Sequence, residues 1–464
     1  MRTVISDSQL AYERKIMQEV AEINAALPAA PKAMVDTYGC QQNEADSEKI
    51  RGMLREMGYE FTSDENEADV VVMNTCAVRE HAEQRVYGNV GALTHTKKAN
   101  PNQKIIICGC MAQQQSVADK LRESYRHVDI VFGPQALWRF PEFLKKVLTE
   151  GGRVFEITPS DGAIAEGIPQ VRDGAVKAWL SVMYGCNNFC TYCIVPYVRG
   201  RERSRTPEDI LAEAKSLVEA GYKDITLLGQ NVNSYGKDLG AGVDFADILR
   251  EVCAIPGDFI VRFMTSHPKD ATEKLFKTMA ENPKCAHHIH LPFQSGSDRI
   301  LRAMNRHYDR AKYLDLVHKA REYMPDVVLT SDVIVGFPGE TEEDFADTLS
   351  LVEEVEYDAL FTFIYSKRPG TPAAEYPDPA TREMKQMRFD LLVKLQNMIS
   401  ERKHAAYVGK TERVLIDGRD GEYLTSRTNG GRLVRVTGGE RMIGEFADVK
   451  ITGSNTWALY GELI

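Results

Sequence analysis

Short apolar runs alternate with longer amphipathic stretches in the early part of the chain. The runs at residues 34–37, 70–74 and 104–108 predict strands that are buried on both faces. The stretches 44–57 and 77–98 have the period of helices and lie between those runs. Strands and helices in this alternation predict a small doubly wound α/β domain, to which we assign residues 33–150.

Residues 172–402 repeat the pattern of strand and helix six times. The first helix of this region has a clear start, with Thr206 as its N-cap and Pro207 in its first turn. Six such units predict an open (β/α)6 barrel, and the chemistry of such barrels lies at the carboxyl ends of the strands. The predicted strands begin at Trp179, Asp224, Ile260, His288, Val327 and Leu360.

The pattern changes once more after a predicted helix near 381–405, because short alternating strands are then separated by Gly and Asn turns. This change predicts a small β-barrel over residues 403–464. Residues 1–32 predict a polar helix or an arm without identifiable chemistry. The predicted fold class is therefore α/β, with a doubly wound N-terminal domain, a central open (β/α)6 barrel and a C-terminal β-barrel.

One short segment holds Cys186, Cys190 and Cys193 in a Cys-x3-Cys-x2-Cys spacing. Three thiolates on one loop can hold three irons of a four-iron cubane and leave the fourth iron open for an outside ligand. A closed cluster suits electron transfer, whereas an open position allows chemistry, as in catalytic zinc sites. Two other interpretations fit less well. A redox pair would not need Cys186. A zinc site would need a fourth ligand nearby, but no His or Cys follows before Cys253.

Three further cysteines follow the three predicted strands of the N-terminal domain, namely Cys40, Cys76 and Cys110. Ligands of doubly wound folds gather beyond the carboxyl ends of the strands, where these cysteines can converge. A lone cysteine is usually a buried, inert small residue, but three in equivalent positions are hard to ascribe to packing. We therefore interpret them as ligands of a second iron–sulfur cluster with one open iron, and we expect Cys108 to be structural.

The composition excludes several classes of protein. With 43% hydrophobic and 27% charged residues the chain is an ordinary globular protein, and its nine cysteines show no pattern of a secreted disulfide scaffold. The first residues lack the apolar core of a signal peptide, and no window approaches the roughly eighteen apolar residues of a membrane span. We therefore expect a cytoplasmic protein without a membrane partner.

The cysteine loop, with Tyr192 just before its last cysteine, resembles the signature of the radical S-adenosylmethionine (SAM) enzymes. The resemblance implies that Cys186, Cys190 and Cys193 hold a [4Fe–4S] cluster whose open iron binds SAM. It also implies that SAM is contacted by residues at the ends of the barrel strands. The candidates for these contacts are Tyr192, Gln230, Asn231, Gln294, Ser295 and Gly336.

The order of the three predicted domains resembles that of the methylthiotransferases, with the last domain similar to the RNA-binding TRAM barrel. The stretches 37–43, 109–113, 227–235 and 263–270 resemble the members that act on isopentenyladenosine in tRNA. This resemblance implies two [4Fe–4S] clusters, SAM, an electron-donating reductase and a monomeric enzyme. One cluster would generate a 5′-deoxyadenosyl radical, and the other would present the sulfur that joins C2 of adenosine 37.

A run of alternating arginines directly follows the cysteine loop, consisting of Arg199, Arg201, Arg203 and Arg205. The formal net charge of −10 argues against nucleic acid for the chain as a whole, and charge runs are usually solvated surfaces. The position of this run beside the cysteines nevertheless predicts contacts to RNA phosphates. The alternative is that some of these arginines pair with SAM or with acids.

Other functions fit parts of the same pattern. A sister methylthiotransferase acts on threonylcarbamoyladenosine in tRNA, and another acts on an aspartate of a ribosomal protein; both share the architecture. An electron carrier with no substrate would also have iron–sulfur clusters, and a structural zinc protein is a further alternative. The stretches 227–235 and 263–270 favour the isopentenyladenosine enzyme, and cleavage of SAM would exclude both non-enzymatic readings.

Overall fold

The computed structural model describes residues 3–77, 80–157, 161–172 and 174–464. The chain folds into two compact units, of which the first contains Met1–Asp173, Met183–Asn187 and Cys193–Arg205. The second contains Gly174–Val182, Asn188–Tyr192 and Thr206–Ile464. The domain boundaries given above remain predictions.

Strands and helices follow one another along both units. In chain order the strands are β1 Lys32–Thr37, β2 Glu60–Phe61, β3 Val70–Thr75, β4 Lys104–Gly109, β5 Ile130–Phe132, β6 Val154–Glu156, β7 Lys177–Ser181, β8 Met183–Tyr184, β9 Arg203–Ser204, β10 Asp224–Leu228, β11 Ile260–Phe263, β12 His288–His290, β13 Val328–Val335, β14 Ala359–Ile364, β15 Thr411–Asp420, β16 Tyr423–Thr428, β17 Leu433–Val436, β18 Phe446–Ser454 and β19 Leu459–Leu463. The helices are α1 Asp7–Ala25, α2 Gln41–Glu56, α3 Glu80–Ala99, α4 Gln115–Ser124, α5 Phe140–Thr149, α6 Val195–Arg199, α7 Pro207–Glu219, α8 Phe245–Cys253, α9 Glu273–Glu281, α10 Asp298–Ala303, α11 Arg310–Tyr323, α12 Glu342–Val355 and α13 Arg382–Ala405.

The first unit is built on a six-stranded parallel sheet in the order β2-β1-β3-β4-β5-β6. Successive residues of β3 enter two different apolar clusters, with Val70 and Val72 in one and Val71 and Met73 in the other. Helices therefore cover both faces of the sheet, which explains why β3 has an unbroken apolar run rather than an alternating one. The predicted doubly wound fold is confirmed, and β2, β5 and β6 are additional short strands.

The second unit contains two parallel three-stranded sheets, β11-β10-β7 and β12-β13-β14. A parallel bridge between Val261 and Cys285 connects the end strand of one sheet with the residues leading into β12 of the other. Six parallel strands thus follow one another in chain order, with helices in between. The open (β/α)6 barrel predicted from the sequence is confirmed.

The C-terminal residues form a closed five-stranded barrel in the order β15-β16-β17-β19-β18, as predicted apart from the additional β16. Its core consists of inward-facing Val, Ile and Leu side chains. This barrel contacts a parallel strand of the same unit and a residue that directly precedes another. Arg262 on β11 donates to the carbonyl oxygens of Asn429 (2.7 Å) and Thr428 (3.2 Å), and buried Arg432 pairs with Asp358, directly before β14.

The described residues include no helix that is both long enough and apolar enough to cross a membrane.

The buried carboxylate of Asp358 supports a stability prediction. Besides Arg432, it interacts with Lys403 at 3.0 Å and accepts a hydrogen bond from the backbone N–H of Leu329 at 2.7 Å. We expect Asp358→Ala to lower the free energy of unfolding by about 3–5 kcal/mol, because it leaves the buried Arg432 cation unpaired. The matched control is Asp258→Ala, since the Asp258–Arg413 pair is exposed and its loss should cost at most about 1 kcal/mol. Equal losses in urea unfolding would contradict this account.

Candidate active site

Three cysteines meet at the carboxyl edge of the parallel sheet in the first unit. Cys40, Cys76 and Cys110 follow β1, β3 and β4, which are neighbours in that sheet. The Oδ1 atom of Asn43 lies 3.8 Å from the Sγ of Cys40 and 4.0 Å from the Sγ of Cys110. A Cβ placed on Gly39 would lie 3.1 Å from the Sγ of Cys76, so the third sulfur lies against the same turn. The predicted convergence is therefore present.

The turn after β1 is shaped to bring these cysteines close. Gly39 has φ +134°, and a Cβ at this position would lie 2.6 Å from the Cβ of Cys76, which leaves room for glycine only. The side chain of Asn43 is fully buried and donates to the carbonyl oxygens of Tyr38 (3.0 Å) and Thr75 (2.9 Å). Asn43 thereby connects the turns that carry Cys40 and Cys76. Sequence reasoning included it in a motif but did not identify this role.

Arg199, at the end of α6, completes this cysteine cluster. Its Nε donates to the Sγ of Cys110 at 3.0 Å, and its Nη2 donates to Asn43 Oδ1 at 2.8 Å and to Asp46 Oδ2 at 2.9 Å. Burial raises the pKa of the Cys110 thiol to about 12, against the opposing effect of the Arg199 cation. Binding of a metal to this sulfur would therefore displace the thiol proton, because the thiolate is the form that binds metals.

The donor set fits an iron–sulfur cluster better than a single ion. Among the residues that the structure describes, no group of three His, Cys, Asp or Glu side chains is placed to hold one metal ion. Each cysteine of a four-iron cluster binds a different iron, so its sulfurs stand farther apart than ligands that share one ion. Cys40, Cys76 and Cys110 together with a cationic N–H donor match that arrangement. A zinc site would require four ligands around one centre.

The second set of cysteines lies on the loop that follows β8. The entry to this loop is tight, since Gly185 has φ +74° and a Cβ there would lie 2.1 Å from the carbonyl oxygen of Arg201. The N–H of Cys186 donates to the carbonyl oxygen of Gly200 at 3.1 Å. Cys186 is buried and Cys193 is half-buried. The backbone of the first unit therefore fixes where this loop begins.

In the second unit, Arg306 is the polar partner of Cys190. Its Nη1 lies 3.4 Å from the Cys190 Sγ, and its Nη2 donates to the carbonyl oxygen of Pro292 at 2.9 Å. Its Nε donates to the Tyr308 hydroxyl at 3.0 Å. The guanidinium is buried, so its charge acts on the sulfur without screening by water. Nothing in the sequence identified Arg306, because it lies 116 residues from Cys190.

The backbone around Cys190 is held by the residues after α10. Asn305, with φ +58°, donates through its Nδ2 to the carbonyl oxygens of Asn188 (3.2 Å) and Phe189 (3.0 Å). Phe189 itself has φ +46°, a conformation that is rare for an aromatic residue. The N–H of Thr191 donates to the carbonyl oxygen of Met304 at 3.0 Å. These bonds offset the strain of a turn that presents Cys190.

The residues proposed to contact SAM differ in whether their polar atoms already have hydrogen-bond partners within the protein. Asn231 is buried, and its Nδ2 donates to Asp270 Oδ2 at 2.7 Å. Its Oδ1 is a buried acceptor that has no partner among the described residues. It could therefore accept a hydrogen bond from a bound molecule, such as one from the ammonium group of SAM. Gln230, directly before it, is half-buried. This unsatisfied oxygen is the observation that fits SAM best.

Four other residues are proposed to contact SAM, namely Gly336, Gln294, Ser295 and Tyr192. In the structure they are distinguished mainly by their backbone conformation and their packing. The N–H of Gly336 is already engaged by Glu340 Oε2 at 2.8 Å, and a Cβ at this position would lie 2.5 Å from the Cγ of Lys385. Gln294 has φ +65° and Ser295 is buried beside it. Tyr192 packs against the apolar cluster of α10 and the strand ends. Their contacts to SAM remain predictions.

His267, after β11, is a further buried polar residue of the barrel. Its Nδ1 accepts from the N–H of Lys269 at 3.1 Å, and its ring meets Tyr308 edge-on at 5.7 Å. Burial, aided by the Arg306 cation, lowers the pKa of His267 well below its usual range. The imidazole is therefore neutral at physiological pH. Ser266 and His267 belong to the stretch 263–270 noted in the sequence, where neither residue was given a role.

The prediction of a four-arginine RNA contact is wrong for three of its members. Arg199, Arg203 and Arg205 are each at most 6% exposed. Arg205 forms a two-pronged pair with Glu166 at 2.7 and 2.8 Å, and Arg203 donates to the carbonyl oxygen of Arg201 at 2.7 Å. Each is engaged by acceptors of the protein and hidden from phosphates. Of the four, only Arg201 is exposed.

Comparison with protein families agrees with this architecture. The radical SAM superfamily matches residues 180–352, and the TRAM domain matches residues 405–464. Residues 32–133 match the uncharacterized protein family UPF0004. These matches define the class of protein: the chain belongs to the radical SAM superfamily and ends in a TRAM domain.

Comparison with solved structures supports the fold alone, because the sequence identities are low. The radical SAM methyltransferase TsrM from Kitasatospora setae, with cobalamin and a [4Fe–4S] cluster bound, has a TM-score of 0.54 at 15% identity; the alignment covers 75% of this chain and 77% of TsrM. The cobalamin-dependent radical enzyme OxsB has a TM-score of 0.52 at 13% identity, covering 80% of this chain and 56% of OxsB.

Two curated relatives narrow the assignment. The tRNA-2-methylthio-N6-dimethylallyladenosine synthase of Clostridium perfringens (strain SM101 / Type A) is 53% identical over 433 residues, 93% of this chain and 97% of the relative. The protein of the same name from Thermoanaerobacter sp. (strain X514) is 49% identical over 463 residues, 99% of this chain and 98% of the relative. The chain belongs to this family of synthases. It is a radical SAM methylthiotransferase whose cofactors are [4Fe–4S] clusters and SAM.

The cysteine assignment makes a prediction for metal content. Reconstituted protein should hold about eight irons, and Cys110→Ala should reduce this to about four, because it removes one of three ligands of one cluster. Cys108→Ala is the matched control, since Cys108 is equally buried two residues earlier on β4 and is not a predicted ligand. Iron analysis of both variants decides the question. Loss of iron from Cys108→Ala with retention in Cys110→Ala would contradict the assignment.

Proposed function

We propose that this protein methylthiolates C2 of N6-isopentenyladenosine at position 37 of tRNA, giving 2-methylthio-N6-isopentenyladenosine. The observation that carries the proposal is the near full-length similarity to two synthases whose names specify this product. The two separate sets of three cysteines support it, because the reaction needs both a radical source and a source of sulfur. The competing readings as an electron carrier or a zinc protein leave the barrel residues without a role.

The target position explains why cofactors are needed. C2 of an adenine carries a C–H bond that no side-chain base can deprotonate, so the difficult chemistry must come from bound groups. When bound, the clusters and SAM supply an organic radical that takes the C2 hydrogen and a methylated sulfur that replaces it. The protein residues have the tasks of binding, orienting and shielding these groups.

On this proposal the barrel residues hold SAM and its cluster. Cys186, Cys190 and Cys193 would bind three irons, while the Arg306 cation stabilises the thiolate of Cys190. Asn231 would offer its unsatisfied Oδ1 to SAM, since its other amide atom is held by Asp270. His267 remains a neutral neighbour because of its burial. Each role uses a group that the fold has already oriented.

Cys40, Cys76 and Cys110 would bind the auxiliary cluster that presents the sulfur. Asn43 connects the turns that carry Cys40 and Cys76 through hydrogen bonds to the carbonyl oxygens of Tyr38 and Thr75. Gly39 permits the close approach of its turn to Cys76. A preorganised site of this kind limits the reaction to one geometry.

Contacts to tRNA would come from exposed surfaces. Nucleotide 37 of a tRNA lies in the anticodon loop, where single-stranded bases can be splayed out and recognised individually. Arg201 remains a proposed phosphate contact, and the TRAM barrel a proposed grip on the backbone. The enzyme would act as a cytoplasmic monomer and receive electrons from a reductase, because the reductive cleavage of SAM consumes an electron.

A competition experiment tests the substrate. Two tRNAs, one carrying isopentenyladenosine and the other threonylcarbamoyladenosine at position 37, are offered together with SAM and reductant. We expect methylthiolation of the isopentenyl tRNA, because burial of its apolar tail contributes roughly 1.5–3 kcal/mol, comparable to a Val or Leu side chain. The charged threonylcarbamoyl group would instead require a cationic partner in the same pocket. Preferential reaction of the threonylcarbamoyl tRNA would overturn the substrate while leaving the enzyme class intact.

A further inference from the structure

The guanidinium of Arg199 lies between Cys110, one of the three cysteines proposed to bind the auxiliary cluster, and two oxygen acceptors. It is 5% exposed, its Nε donates to Cys110 Sγ at 3.0 Å, and its Nη2 is shared between Asn43 Oδ1 (2.8 Å) and Asp46 Oδ2 (2.9 Å). A thiol needs no buried cation as its donor. A metal-bound thiolate does, because its sulfur carries negative charge.

Helix α6 fixes where this guanidinium lies. Ile194, directly before the helix, and Val198 within it pack with Ala77 and Cys110 in one buried cluster. The helix begins directly after the cysteine loop, and Arg199 is six residues beyond Cys193. The hydrogen bond to sulfur is therefore held by packing on one side and by two acceptors on the other, and it does not depend on a mobile surface side chain.

We propose that Arg199 is a positioning residue that sets the reduction potential of the auxiliary cluster through its charged N–H···S hydrogen bond to Cys110. The inference rests on the proposed assignment of Cys110 as a ligand. Reduction adds negative charge to a cluster, and a donor at sulfur together with a nearby cation stabilises the reduced form and raises the potential. Asp46 acts in the opposite direction, because its carboxylate offsets part of the Arg199 charge.

The two partners therefore make predictions of opposite sign. Arg199→Gln removes the cation and should shift the midpoint potential to a more negative value. Asp46→Asn keeps a side chain of the same shape, leaves the Arg199 charge without its counter-ion and should shift the midpoint to a more positive value. A purely structural role of this pair would not produce shifts of opposite sign.

The experiment uses full-length, reconstituted protein in which Cys186, Cys190 and Cys193 are replaced by Ala, so that one cluster remains. A redox titration followed by electron paramagnetic resonance gives the midpoint of each variant, and iron analysis confirms that the cluster is present. Arg205→Gln is the matched control: it is a buried arginine of the same run that pairs with Glu166 and should leave the midpoint unchanged.

The outcomes separate this inference from the assignment beneath it. If Cys110→Ala keeps full iron in the same background, Cys110 is not a ligand and the assignment itself is wrong. If iron depends on Cys110 but neither Arg199→Gln nor Asp46→Asn moves the midpoint, only the inference is overturned. Should Arg199→Gln fail to retain iron, Asp46→Asn decides alone, since a positive shift supports the inference and an unchanged or negative midpoint contradicts it.

Discussion

The arrangement of the first unit depends on one constraint, the parallel pairing of strands that are buried on both faces. Parallel strands share a carboxyl edge, so residues that follow β1, β3 and β4 are brought together although they are far apart in sequence. The cysteines at these positions become neighbours for this reason. Asn43 and Gly39 refine the arrangement, but neither could act without the sheet.

A second regularity links the two sets of cysteines. In each set, one cysteine receives a hydrogen bond from a buried arginine, Arg199 for Cys110 and Arg306 for Cys190. Buried cations are costly unless they are paired, so each arginine is also bound to oxygen acceptors of its own unit. An anionic cluster bound to each set of cysteines would balance the remaining positive charge of its arginine.

Much of the fold could be predicted because it follows from local pattern. The unbroken apolar runs predicted β3 and β4, the six repeats predicted the barrel, and the cysteine spacing predicted where chemistry would occur. The short strands β2, β5 and β6 escaped prediction because two or three residues carry no readable period. Asn43 and Arg306 escaped as site residues because their roles depend on contacts across the fold.

The arginine run shows the limit of the same reasoning. Alternating charges normally lie on a solvated face, yet Arg203 forms a two-residue strand and Arg205 pairs with Glu166 from a distant segment. Local sequence does not reveal which acids and carbonyl groups will surround a cation after folding. The buried arginines of this run are engaged by acceptors of the protein, and only Arg201 of the run remains on the surface.

The identity of the modified nucleoside distinguishes this synthase from its sister enzymes, and mass spectrometry of tRNA nucleosides from a deletion strain measures it. We expect that 2-methylthio-N6-isopentenyladenosine disappears, that N6-isopentenyladenosine accumulates, and that wild-type protein but not the Cys110→Ala variant restores the methylthio product. Persistence of that product in the deletion strain, or loss of the methylthiolated threonylcarbamoyl nucleoside in its place, would contradict it.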